Sequence, residues 1–387
     1  MTWKETRVMD QKTEFALRAV RGLECFKELC LEFGISRKTG YKWKQRFLQN
    51  GLEGLHDRSR RPNSSPSGLD EDVVCRIIIL KQAHPTWGAR KLRALMQRSP
   101  EGLTVPSESS VKRVLEKAGL VKHRRRQKQV DTGRLQCRIK SERPNHIWTI
   151  DFKGWWRTRD RGRFEPLTIR DDFSRFILCA QSLEHTRTEY VRARMESLFS
   201  EHGLPEIIRS DNGSPFAASN SVLGLTRLSS WWLALGIDLD RINPGKPQEN
   251  GGHERMHRDI ATDLERSPER TLQSQQGALD EWRKTFNNER PHESLGMRFP
   301  SDVYESSSRR FDPAQLELTY PLGMLVRRVH GSGRIKLSGI TIHLSAAIDG
   351  YNVGLQSISA SRYSVWFGRL CIGTADLSSE SFEGAIE

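Results

Sequence analysis

No stretch of this sequence is apolar enough to cross a bilayer, which needs about 20 consecutive apolar residues. The longest apolar runs, such as Trp231–Leu235, fall far short of that, and mean hydropathy is −0.63. The first residues, MTWKETRVMDQKTEF, contain no apolar segment of the kind that heads a secreted chain. The six cysteines (Cys25, Cys30, Cys75, Cys137, Cys179 and Cys371) are scattered, with no CxxC and no Cys/His pair at zinc-binding spacing. Reduced, isolated thiols are therefore expected. Together these absences predict a cytoplasmic protein that engages neither membrane nor zinc.

What the chain has is positive charge, placed unevenly. Its 387 residues carry a net charge of +14. Residues 1–142 hold 31 Lys and Arg against 16 Asp and Glu, whereas residues 143–387 hold 31 against 32. A basic front joined to a nearly neutral, acid-bearing back suits a DNA-anchoring part attached to a catalytic part.

The basic part reads as helices. Met9–Gly22 is amphipathic, with Phe15, Ala16, Ala19 and Val20 on one face, and Cys25–Phe33 is a second helix. Gly34–Ile35 makes a turn, and Ser36 is placed to cap a third helix over Arg37–Gln49. Trp43 and Phe47 should pack inward, leaving Arg37, Lys38, Tyr41, Lys42 and Arg46 to face a major groove. Gly40 inside this helix costs about 1 kcal/mol against Ala, on propensity alone. Residues 70–122 repeat the pattern, with Lys112 and Arg113 outward on a helix capped by Ser107 or Ser109. Arg58, Arg60 and Arg61 in one linker are candidates for a minor groove or for plain solvation, and Arg124, Arg125 and Arg126 in a basic run are candidates to cross phosphates.

From Pro144 the pattern changes. Ile147–Phe152, Phe164–Ile169 and Phe176–Ser182 read as an antiparallel meander. A helix (Thr186–Ser200), a short strand ending at Asp211, a helix over Asn220–Gly236 and a strand over Ile237–Ile242 follow. Beyond residue 318, short alternating segments predict a small β-barrel or sandwich. The expected organisation is a multidomain α+β chain. Residues 1–60 form a first helix-turn-helix domain, 61–69 a linker, 70–122 a second such domain and 123–142 a basic linker. Residues 143–300 form a catalytic core with a mixed sheet, 301–317 a connector and 318–387 an all-β domain.

Three acids stand at ends of elements within the core. Asp151 closes the run IWTID, Asp211 follows EIIRS, and Glu254 opens a helix after the loop PGKPQENGG. Asn250 is expected to cap that helix. His253, Lys246 and Gln248 flank Glu254 and are expected to order the loop or position DNA. Two Mg²⁺ ions flanking a scissile phosphate need only two or three carboxylates, so these acids suit phosphoryl chemistry.

Several motifs make this core familiar: W-x-x-D-F at Trp148–Phe152, D-D-F-S-R at Asp171–Arg175 and S-D-N-G-x-x-F at Ser210–Phe216. P-x-x-P-Q-x-N-G-x-x-E-R at residues 244–255 and N-x-x-R-P-H at Asn287–His292 complete the set. Residues 144–300 resemble the catalytic core of the retroviral-integrase superfamily, as found in bacterial insertion-sequence transposases. The resemblance implies an RNase H-like fold with Asp151, Asp211 and Glu254 as catalytic and metal-binding triad, holding Mg²⁺ or Mn²⁺. It implies double-stranded DNA as partner (element ends and target) and homo-oligomers that hold two ends together. It also implies end cleavage followed by strand transfer from a 3′-OH. A silent DNA-binding repressor and a nuclease of the same fold are the rival expectations. The chain departs from the pattern in the 42 residues between Asp211 and Glu254, longer than in many relatives. The excess is expected around Ser219–Trp232. The zinc-binding N-terminal domain of the retroviral enzymes is also replaced here by helix-turn-helix patterns.

Overall fold

A computed structural model describes residues 8–57, 69–99, 104–121, 139–219, 221–243, 247–314 and 318–385. Two compact units emerge, Met1–Leu69 and Asp70–Glu387. Arg58, Arg60, Arg61, Arg124, Arg125, Arg126, Cys137 and Lys246 lie outside the described residues.

The first unit is built from helices α1 (Val8–Arg21), α2 (Phe26–Glu32) and α3 (Arg37–Asn50). The Ser36 hydroxyl accepts the Thr39 amide at 3.2 Å and so caps α3. Phe15, Ala16, Ala19, Leu29, Cys30, Trp43 and Leu55 fill one core. Gly40 has a packing reason. A methyl there would sit 2.6 Å from Cys30 Sγ and 2.9 Å from Phe15 Cζ. Gly40→Ala gains about 1 kcal/mol of helix propensity but overpacks this contact at a cost of about 1–3 kcal/mol. Net destabilisation is expected, measurable as a lower urea midpoint for this unit.

The second unit opens with α4 (Glu71–Ala83), α5 (Ala89–Arg98) and α6 (Glu108–Lys117). Ser107 caps α6 by accepting the Ser110 amide. Val73, Ile77, Leu92, Val111 and Leu115 are buried among these helices. The end of α5 is tied to the core's last loop: Arg98 pairs with Asp302 and lies 3.9 Å over the Phe299 ring.

The core sheet contains β1 (Ile147–Phe152), β4 (Pro166–Asp171), β5 (Ile177–Ser182), β6 (Ile207–Ser210) and β7 (Asp238–Arg241), in the order β5-β4-β1-β6-β7. A small hairpin of β2 (Trp156–Arg157) and β3 (Arg163–Phe164) interrupts the meander. The first three core strands are antiparallel, while β1–β6 and β6–β7 are parallel, so the sheet is mixed as expected. Period-two alternation decides the faces. Trp148, Ile150, Leu167 and Ile169 pack against α7 (Thr188–His202) and α8 (Arg227–Ala234), burying Met195, Phe199, Trp231 and Trp232. A second cluster joins Trp156, Phe164, Ile177 and Ala180 to Met256, Ile260, Leu279 and Phe286. These last residues come from α9 (Gly251–Ile260) and α10 (Leu272–Asn288).

The helix expected over Asn220–Gly236 is shorter. It begins at Arg227, where Thr226 and Ser229 form a reciprocal capping box. Before it, a 3-10 turn at Val222–Gly224 includes Leu223 at φ 47°. The segment where extra length was expected has a packing partner. Val222, Leu223, Leu225 and Leu233 pack into the core of the C-terminal β region.

That region holds β8 (Leu325–Arg328), β9 (Arg334–Leu337), β10 (Ile340–His343), β11 (Asn352–Ser357), β12 (Arg362–Phe367), β13 (Leu370–Asp376) and β14 (Ser381–Gly384). An antiparallel sheet in the order β14-β13-β12-β11-β8 stands beside the β9–β10 hairpin. The large sheet keeps two edges, β8 and β14, instead of closing into a barrel.

Candidate active site

The parallel register of β1 and β6 sets Ile147 opposite Ile207, Trp148 opposite Ile208 and Thr149 opposite Arg209. Continued by two residues, it brings Asp151 level with Asp211 at the C-terminal ends of adjacent strands. Asp211 Oδ1 accepts the Gly213 amide at 3.2 Å, an Asx turn that fixes the loop. Glu254 sits half-buried in the first turn of α9. Burial, then the charges of Asp211 and Glu254, push the Asp151 carboxyl up to about 7, opposed by the Phe152 backbone amide. Asp211 and Glu254 are thus within electrostatic reach of Asp151, and carboxylates are the donors a hard divalent cation takes.

A carboxyl raised above its unfolded value of about 3.9 contributes stability that is present below that pH. The contribution is lost as pH rises to about 7. Asp151→Asn, which stays neutral, should therefore gain stability relative to wild type between pH 5 and pH 8 in the presence of EDTA. Urea midpoints at the two pH values measure it.

The helix carrying Glu254 is locked to the sheet by polar contacts that sequence reasoning missed. Alternation along β1 and β4 puts Thr149, Asp151, Thr168 and Arg170 on the face toward α9. His253 is fully buried, with Nδ1 2.8 Å from Thr149 Oγ1 and Nε2 2.7 Å from Thr168 Oγ1. It therefore orders the site's scaffold. His257, one turn further, places Nε2 2.7 Å from Thr168 Oγ1 and Nδ1 3.8 Å from Asp151 Oδ2. Asp151, His253 and His257 form a group of ligating atoms within 4.8 Å of one another. The His-x-x-x-His spacing on one helix face was the available signal. Burial, assisted by Lys153 and Arg170, pushes His257 down to about 3, so it is neutral.

Arg170, 3% exposed, holds the start of α9. It donates to the Gly252 carbonyl at 2.8 Å, to the Asp172 carboxylate at 2.8 Å and to Thr149 Oγ1 at 3.3 Å. A Cβ on Gly252 would lie 2.2 Å from its guanidinium, so only glycine admits this approach. The cap expected from Asn250 does not form: its side chain makes no capping bond. The 3-10 turn Pro247–Asn250 runs directly into α9 and supplies the preceding backbone instead. Glu249 takes another task, accepting the Asn243 amide and side chain at 2.9 Å each. Asp171, fully buried, accepts bonds from Asn145 and Ser174 and shapes the turn before β5.

On α3, Arg37, Lys38, Tyr41 and Lys42 are exposed and Arg46 is half-buried, lying 5.3 Å over the Trp43 ring. Tyr41 stacks on Phe26 at 4.3 Å. On α6, Lys112 and Arg113 are exposed, with Lys112 3.8 Å from Glu116. Among the described residues, no helix is long and apolar enough to cross a membrane.

Comparisons with known proteins agree with this arrangement. Residues 11–63 match a helix-turn-helix domain and residues 39–115 a homeodomain-like domain. Residues 141–247 and 235–300 match the integrase core domain. An uncharacterised protein of insertion element IS407 from Burkholderia multivorans is 28% identical over 253 residues, covering 65% of this chain and 87% of that protein. An uncharacterised protein of insertion element IS476 from Xanthomonas euvesicatoria is 26% identical over 259 residues, covering 67% of this chain and 71% of that one. Among solved structures, the HTLV-2 integrase catalytic core domain in complex with magnesium matches with a TM-score of 0.33 at 17% identity, over 43% of this chain and all of that one. With helix-turn-helix domains ahead of an integrase core, and insertion-element proteins among the chains it matches, this protein is similar to the bacterial insertion-sequence transposases with a retroviral-integrase-type core.

Proposed function

We propose that this enzyme binds the terminal inverted repeats of its own element and catalyses metal-dependent 3′-end cleavage followed by strand transfer into target DNA. The observation that supports it most is the pairing of Asp151 with Asp211 at the ends of parallel strands beside Glu254 on α9. Asp151, Asp211 and Glu254 would hold Mg²⁺ or Mn²⁺, two ions in the full site. When bound, such ions activate the attacking oxygen and stabilise the leaving oxygen of a scissile phosphate.

The chain's own groups supply binding and position. The exposed face of α3, with Arg37, Lys38, Tyr41, Lys42 and Arg46, suits a major groove. Lys112 and Arg113 on α6, with Arg124, Arg125 and Arg126 beyond it, suit phosphates. Beside α9, a cleft of about 470 Å³ gathers Lys91, Arg170, Arg175, Arg255 and Arg290. Burial and the neighbouring Arg290 push Lys91 down to about 8, a cost that an incoming phosphate would relieve. Two element ends must be held together, so the active form is a homo-oligomer.

The test is incubation of the purified chain with a labelled duplex from the element's end, target plasmid and Mg²⁺ or Mn²⁺. Labelled end joined to plasmid is expected. Nicked duplex without joining would indicate a nuclease, and tightly bound, uncut duplex a repressor.

A further inference from the structure

The histidine one turn beyond Glu254 has a role that neither the triad nor the fold accounts for, and proton counting defines it. The Asp151 backbone carbonyl can only accept, so the contact from Thr168 Oγ1 at 2.9 Å takes the single proton of that hydroxyl. Both remaining contacts to Thr168 Oγ1, from His253 Nε2 and His257 Nε2 at 2.7 Å each, must then be N–H donors. A neutral imidazole has one N–H, so Nδ1 of each ring is bare.

The two bare nitrogens differ in what they meet. His253 Nδ1 accepts the Thr149 hydroxyl, whose oxygen in turn accepts Arg170 Nε. Every contact in that branch is satisfied. His257 Nδ1 instead presents its lone pair to the Asp151 carboxylate, 3.8 Å from Oδ2. At that distance the two atoms make no hydrogen bond. Two donors each about 2.1 Å from one ion can stand up to about 4.2 Å apart, so a single cation can span this gap.

We infer that His257 Nδ1 is a ligand of the divalent cation held by Asp151, making this a mixed nitrogen–oxygen site. The inference rests on the metal reading of the site given above and extends its ligand set. The arrangement has the form of metal-binding histidines, whose second nitrogen donates to a fixed acceptor that sets tautomer and ring orientation. Here that acceptor is Thr168 Oγ1, anchored on the backbone of Asp151 itself. An imidazole donor raises affinity for Mn²⁺ relative to Mg²⁺, which prefers oxygen and retains water. The expected specificity is for a Mn²⁺-like ion at the Asp151 position.

The probe is Mn²⁺ alone, added to the full chain and read by pulsed EPR for nitrogen hyperfine coupling from a coordinated imidazole. Wild type should show the coupling, and His257→Gln should lose it while remaining folded by circular dichroism. Calorimetry should find Mn²⁺ binding weakened at least about tenfold in His257→Gln, with Mg²⁺ binding changed much less. His257→Asn serves in the same way if the glutamine variant does not fold. Bound Mn²⁺ without nitrogen coupling in wild type, or coupling that persists in a folded variant, would overturn the inference and leave the carboxylate site standing. Unchanged Mn²⁺ binding in Asp151→Asn would instead remove the metal site itself.

Discussion

Asp151→Asn is expected to abolish strand transfer, by more than about 100-fold, while leaving binding to element ends intact. Changes to groups that merely support a metal ligand cost about 10–100-fold, so loss of a ligand itself should exceed that. The substitution keeps shape and removes only charge and one acceptor. Asp151 sits at the end of β1 with a side chain 27% exposed, so the amide fits without a cavity. The groups proposed to read DNA on α3 and α6 are left unchanged by the substitution. A gel-shift assay beside the joining assay separates the two effects. Reduced binding equal to reduced joining would argue that Asp151 acts on structure.

Arg170→Met should be the most damaging substitution to the core, at about 3–5 kcal/mol, because it strips one partner from a buried network. Asp172 would lose one of its charge partners, the Gly252 carbonyl a donor and Thr149 Oγ1 a donor. Burial already pushes Arg170 down to about 10, against the favourable charge of Asp172, so it remains cationic at neutral pH. The start of α9 would lose its anchor to β4, and Glu254 its fixed place. Thermal and urea unfolding of the whole chain should both report the loss. A change below about 1 kcal/mol would mean that the network is not holding the helix.

The site's acids were legible because each stands where a local pattern ends: Asp151 after an apolar strand, Asp211 before a Gly-containing turn, Glu254 in a first helical turn. Their alignment needed the parallel β1–β6 register, which no local pattern encodes. The meander was legible from alternation, and the helical hairpins from capping serines and apolar spacing. His253 was legible only as a residue ordering the loop beside Glu254, and His257 not at all. His253 and His257 lie on a helix whose charged residues drew attention to solvent, and their partners Thr149 and Thr168 come from strands about 85–104 residues away in sequence. The 220–236 segment misled for a related reason. Its leucines satisfy helical spacing, yet Leu225 is buried in the distant β-region core and Leu223 packs half-buried against it, so tertiary packing overrode local periodicity. The glycine in α3 looked like a weakness and is a contact point, visible only once Cys30 and Phe15 are placed beside it.

The most direct test of the central claim is Glu254→Gln against wild type in the end-joining assay, with circular dichroism and end binding measured on the same preparations. The folded variant is expected to bind ends as wild type does and to produce neither nicked nor joined DNA. Nicking and joining at wild-type rates would contradict it and remove Glu254 from the chemistry.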